Sequence, residues 1–316
     1  MGTVRRKSQR SVKQRRRIDL LISLLFWGGV ALLPLFITLP YWRSTLIVAM
    51  YYTLLTMGWN LLAGYTGQFS MAPAAFGMIG AYTSALLTLQ EFSPLVGILG
   101  GIGVTFGVGW LLGHLCLRLR GPYFALTTLA FAEIVRLVIA NEYEITRGDL
   151  GLSVPPLYQG GELPYYYTFL LICLGVQLCL YFLMQSRIGL YLQAIREDEV
   201  AAQGRGVDVV KWKTMASALS SALCGLAGAL YVHFIQLASP DMGTILQTGL
   251  IISMNVIGGM GTLVGPLIGA FLVQVTAEYV REFGFYHMII FALLMMIVVR
   301  FFREGVYGLF LRVYHG

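Results

Sequence analysis

The chain has 316 residues, 57% of them apolar and only 12% charged, with 37 glycines, 10 prolines and a net charge of +7. That balance excludes a soluble domain of this size and leaves an all-α, polytopic integral membrane protein. The apolar runs stay continuous for about 20 residues instead of alternating over about 10, which excludes a transmembrane barrel, and the four cysteines and four histidines fall without metal-ligating spacing.

The chain opens on a basic arm, residues 1–17, carrying Arg5, Arg6, Lys7, Arg10, Lys13, Arg15, Arg16 and Arg17. Such an arm suits the anionic lipid of a cytoplasmic face and not nucleic acid. It is no cleaved export signal, because the apolar run behind it is full length and more follow. Ten apolar segments are predicted in order: Ile18–Leu39, Ser44–Ala63, Met71–Leu89, Leu95–Leu117, Tyr123–Ala140, Tyr165–Met184, Trp212–Ile235, Ile245–Ile257, Leu263–Tyr279 and Phe285–Phe302. The eighth is too short to cross straight through. With the glycine-rich stretch Gly258–Pro266 behind it, it reads with the ninth as a hairpin turning near the cytoplasmic face. The expectation is therefore about 8–10 transmembrane helices, broken or re-entrant segments included, over residues 18–304, then a tail over 305–316. Ten segments put both termini on one side. With that side cytoplasmic, only Arg43, Arg147 and Arg281 fall outside and Arg136 within a span, as the preference for internal positive charge requires.

Two segments carry polar chemistry at membrane depth. Between Asn60 and Gly80, an apolar run is interrupted by Gly64, Gly67, Pro73, Gly77 and Gly80, while Asn60, Thr66, Gln68 and Ser70 supply hydrogen-bonding groups. Freed backbone groups are tolerated only beside water or protein. Asn60, Gly64, Thr66, Gln68, Ser70 and Pro73 are thus candidates for lining a translocation path, close glycine packing being the alternative. Glu133 and Arg136 stand three residues apart on one helical face. They form a candidate intramembrane ion pair, for function or for tying one helix to its neighbours. The loop 141–164 faces outside and sets Glu142, Glu144, Asp149 and Glu162 against Arg147, an acidic rim.

The segment 187–213 is a polar island between two spans, and lipid rejects its run Arg196, Glu197, Asp198, Glu199. It suits a short surface helix on the cytoplasmic side, with the small pair Ala201 and Ala202 leaving one face nearly bare for docking into a groove. The order Ala201, Ala202, three residues, Gly206 resembles the coupling motif of ATP-binding-cassette importer permeases. The longer string SRIGLYLQAIREDEVAAQGRGVDVVKWK looks like the version in branched-chain amino acid permeases of the M type. NLLAGYTGQFSMAPAAFGMIGAYTSALL, RLRGPYFALTTLAFAEIVRL, TRGDLGL and GGMGTLVGPLIGA resemble the same family in order and spacing. The motif's usual leading acid is Val200 here, with Glu199 one place earlier; Ala72-Pro73 replaces a frequent Gly-His, and Arg147 interrupts a TGG.

The resemblance implies the permease subunit of an importer of leucine, isoleucine or valine, or of a related amino acid, amide or urea. It implies a related H-type permease beside this chain, two ATP-binding subunits and an extracytoplasmic substrate-binding protein, in a bacterial cytoplasmic (inner) membrane. Arg196, Glu197, Asp198, Glu199, Ala201, Ala202 and Gly206 would then meet the ATPase. No GxxxxGK[ST] phosphate loop occurs, so no cofactor is expected in this chain and the partner subunits use the ATP. No nucleophile and base suggest an enzyme. An ion-coupled secondary transporter would need unpaired intramembrane carboxylates, and a passive channel would have no use for the island.

Overall fold

A computed structural model describes residues 2–37, 39–116, 119, 121–281, 293, 296 and 305–307, with backbone alone over 2–18. The helices are α1 (Gly2–Phe36), α2 (Pro40–Trp59), α3 (Pro73–Leu89), α4 (Pro94–Leu115), α5 (Pro122–Asn141), α6 (Leu163–Gln185), α7 (Arg187–Glu197), α8 (Glu199–Gly204), α9 (Val209–Ile235), α10 (Ile245–Gly258) and α11 (Gly265–Arg281). Proline opens α2, α3, α4 and α5, where its missing N–H would lack an intrahelical partner anyway. The basic arm runs into the first apolar segment as one helix, α1. The tenth predicted segment, Phe285–Phe302, and the tail 305–316 lie almost wholly outside the described residues.

Six stretches are long and apolar enough to cross a membrane: Asp19–Phe36, Pro40–Gly64, Pro94–Leu115, Pro122–Asn141, Leu163–Gln185 and Val209–Ile235. With the shorter α3, α10 and α11 they make a multi-pass, all-helical membrane protein. The second stretch, α2 and its extension to Gly64, is the axis of the bundle, 89% buried against 22% for α5. Tyr51 of α2 stacks on Tyr231 of α9 with ring centroids 3.9 Å apart, and Ser220 of α9 donates to the carbonyl of Gly58 at 2.7 Å.

Helices α3 and α9 touch backbone to backbone. A β-carbon on Gly228 would stand 1.8 Å from the carbonyl oxygen of Gly77, and one on Gly80 would stand 2.3 Å from that of Gly225. Small residues permit this approach, which dispersion and close packing stabilise where the hydrophobic effect cannot. Gly77 and Gly80 therefore sit inside an unbroken helix and serve packing. The interruption lies earlier, over residues 67–72.

The bundle has two chemically distinct ends. One carries α7, α8 and the turn between α10 and α11. The other carries Glu142, Asp149, Glu162 and Asp241, and is closed by a two-stranded antiparallel pairing of Leu152–Ser153 with Leu237–Ala238. At this acidic end the buried ring of His233 bonds Ser84 Oγ at 2.9 Å and the carbonyl of Pro155 at 3.0 Å. That ring ties α9, α3 and the loop 141–164 together.

Candidate functional site

The island folds as two helices meeting at Asp198. Ser186 caps α7 by accepting from the Ile188 N–H, and a β-carbon on Gly189 would lie 2.5 Å from the Met184 backbone. The chain thus turns sharply off α6. Leu192 and Ile195 bury the inner face of α7. Asp198 then caps α8, its Oδ1 accepting from the N–H groups of Val200 at 2.9 Å and Ala201 at 3.0 Å, a cap typically worth ~1 kcal/mol.

Helix α8 stops by a Schellman turn. The Gly206 N–H reaches the Gln203 carbonyl at 2.9 Å, and the Val207 N–H reaches back to the Ala202 carbonyl at 3.1 Å. Gly206 adopts φ +84° there, a region in which only glycine is unstrained. The small apolar cluster beneath is Ile195, Ala202 and Val209, flanked by Val207 and Trp212. The two alanines therefore part company: Ala202 is buried in the loop's own core, while Ala201 is exposed beside Val200 and Gln203.

The charges divide likewise. Glu197 and Asp198 are exposed. Glu199 turns inward, its Oε2 2.7 Å from Nζ of the buried Lys213. Arg196 reaches out of the loop altogether, its Nη1 donating to the carbonyl of Gly64 and lying against Gly261.

Gly64 ends a π-helical turn, Asn60–Gly64, that finishes the α2 span. Asn60 holds this turn to the hairpin between α10 and α11: Oδ1 accepts from the Gly261 N–H and Nδ2 donates to the Thr262 carbonyl, each at 2.8 Å. Thr66 donates to the Leu62 carbonyl at 2.6 Å. The Ser70 carbonyl accepts from Trp59 Nε1 at 2.7 Å, and Pro73 starts α3 as a buried residue. Gln68 differs, because its Oε1 is buried without a partner among the described residues.

Between this broken segment and the island lies a cavity of about 240 Å³, lined among others by Thr66, Gln68, Phe124, Arg196, Glu199 and Lys213. Of the path candidates, Thr66 and Gln68 line it. Asn60, Ser70 and Pro73 are buried elsewhere in the packing. Glu133 and Arg136 do pair, Nε lying 3.1 Å from both carboxylate oxygens. Their bonds stay within α5, with none to a neighbouring helix among the described residues.

Three polar residues escaped the sequence reading. Buried Gln177 of α6 donates to Ser23 at 2.7 Å and accepts from Trp27, so it joins α6 to α1. Buried Asn255 of α10 donates to the Thr56 carbonyl at 2.9 Å. Lys213 holds Glu199. The available signal was a lone amide inside an apolar run, which has no alternative to an internal partner.

These features define a polytopic helical membrane protein of the transport class, in which a capped surface helix is joined by side chains to a break in the central span. Residues 42–299 match the family described as branched-chain amino acid transport system / permease component, and the chain belongs to that family. It is 31% identical to the high-affinity branched-chain amino acid transport system permease protein LivM of Escherichia coli K12, over 87% of this chain and 73% of that one. The fructose import permease protein FrcC of Rhizobium meliloti is 29% identical over 61% of this chain and 57% of its own. The corresponding LivH permease of E. coli K12 is 22% identical over 71% and 80%. No solved structure matches.

Proposed function

We propose that the chain is the membrane subunit of an ATP-driven importer that carries branched-chain amino acids across the bacterial inner membrane. It works beside an H-type permease, with two ATP-binding subunits at the end carrying α7 and α8 and a substrate-binding protein at its acidic end. On this reading the chain holds no nucleotide itself. The observation that carries the proposal is α8, a helix capped at one end by Asp198 and stopped at the other by Gly206. It exposes Val200 and Ala201 with no covering segment among the described residues. A bare surface helix that directly follows α7, whose Arg196 bonds the central span at Gly64, suits the transfer of motion from an attached motor.

The test is reconstitution of the four kinds of subunit in liposomes loaded with ATP. Leucine uptake is expected to require both the binding protein and hydrolysable ATP. Uptake driven by a proton or sodium gradient without the ATP-binding subunits would overturn the reading.

A further inference from the structure

Lys213 stands where an apolar residue is expected. It lies one turn beyond Val209 on the same face of α9, and Val209 packs with Ile195 and Ala202 in the small core under the island. The Lys213 side chain is only 9% exposed, and lysine is rarely buried unless its ammonium is paired. Its partner is Glu199, at 2.7 Å. Glu199 opens α8, so this is the one hydrogen bond between a side chain of α8 and a membrane span among the described residues. The folding of α8 does not call for it. The helix is capped by Asp198 and stopped at Gly206, and its buried face rests on Ile195 and Val209. An apolar residue at 213 would leave no charge to desolvate, and exchanging a buried ion pair for apolar groups is often neutral or stabilising. What the pair supplies instead is direction: a charged hydrogen bond fixes where α8 points on α9, which contact between small apolar side chains does not.

Helix α9 is the element onto which α3 and α4 close through glycine, and its Ser220 bonds the Gly58 carbonyl of α2. Arg196 reaches a different place, the Gly64 carbonyl at the end of the π turn. The cavity of about 240 Å³ is lined by Arg196, Glu199 and Lys213 together, so open space, and not a run of packed side chains, lies beside the two contacts. We infer that Lys213 is a positioning residue of the transport cycle. It fixes α8 to α9, so that displacement of the docking helix is delivered to the block of α3, α4 and α9, separately from the route through Arg196 to α2 and the hairpin. The inference rests on the ATP-driven reading above and adds to it a second point at which motion enters the bundle.

The experiment is Lys213→Met in the reconstituted complex, an exchange that keeps an unbranched apolar stem beside Val209 and removes the ammonium. The freed Glu199 carboxylate keeps contact with water, its side chain being 26% exposed at the cavity. Capture of the ATP-binding subunits, amide exchange over Glu199–Gly204 and basal ATP hydrolysis are expected to stay within about twofold of the unsubstituted complex, while leucine carried per ATP falls at least about tenfold, the loss of one charged hydrogen bond. Lys213→Arg, which keeps a cationic donor within reach of Glu199, should restore most of that ratio. An unchanged ratio in Lys213→Met overturns the inference, and so does faster exchange with loss of capture, which makes the pair part of the loop's own fold. No recovery in Lys213→Arg overturns it as well. An unsubstituted complex whose leucine uptake does not depend on ATP overturns the earlier reading instead, before any variant is compared.

Discussion

At Gly206 the backbone takes φ +84°, and this one torsion explains the last letter of the motif. A residue with a β-carbon there costs about 1 kcal/mol or more, in a helix of only six residues, Glu199–Gly204. Gly206→Ala is expected to loosen the Schellman turn, seen as faster amide exchange at Arg205–Asp208, and to weaken capture of the ATP-binding subunit. Ala201→Arg has a different outcome: the exposed position leaves exchange unchanged but the bulk and charge abolish capture. Capture that survives Ala201→Arg would remove α8 from the docking surface. The motif was legible in the sequence because its geometry is local, within a few residues of Asp198. The fate of its acid was not. Glu199 turns to Lys213, fourteen positions away, and a contact across a helical turn-around leaves no spacing signal. Val200, where the family usually has an acid, is 65% exposed, so the outward position exists and carries an apolar side chain.

Among elements, the contact that matters is between the island and the break in the central span. Arg196 bonds the Gly64 carbonyl, and Asn60 bonds both sides of the α10–α11 turn. A displacement of α7 therefore pulls on the π turn and the hairpin together. Arg196→Ala is expected to keep ATPase binding and hydrolysis near normal while uptake per ATP falls about tenfold or more, with Arg196→Lys intermediate; unchanged coupling would show that the contact transmits nothing. The loss expected is that of one hydrogen bond from a charged donor, about 1.5–3 kcal/mol. Apart from the start of α1, which takes in the basic arm from Gly2, hydropathy located the nine described apolar helices to within a few residues, since lipid imposes length and composition directly. It could not show that the chain stays helical through Asn60–Gly64 and breaks only at 67–72, nor that Gly77 and Gly80 pack against α9. Glycine means both interruption and close approach, and only the neighbouring helix decides which.

Across the whole molecule, burial among the described residues is uneven from helix to helix. The central α2 stretch is 89% buried, while the windows of α1, α4 and α5 are 22%, 28% and 22% buried. Helices α3, α4 and α9 close on one another through glycine: β-carbons on Gly101 and Gly109 of α4 would come within 2.8 Å of the Gly80 carbonyl oxygen and 2.2 Å of Ser221 Oγ. On the far side of α4, Gly103 and Gly107 have nothing within 4 Å of the same construction. The two faces predict opposite responses to one chemical change. Gly228→Ala places a methyl group against the backbone of α3, which no rotamer relieves, and should lower the thermal stability of the detergent-solubilised protein by the ~1–3 kcal/mol of an overpacked core. Gly107→Ala should be neutral or stabilising by up to ~1 kcal/mol through helix propensity alone. The comparison is made by size-exclusion melting of both variants in one detergent. Equal melting of the two would mean that α3 and α9 can separate at little cost. That would place the rigid axis of the bundle in α2 and its hairpin partners, α10 and α11, and leave the glycine interface as a joint able to move.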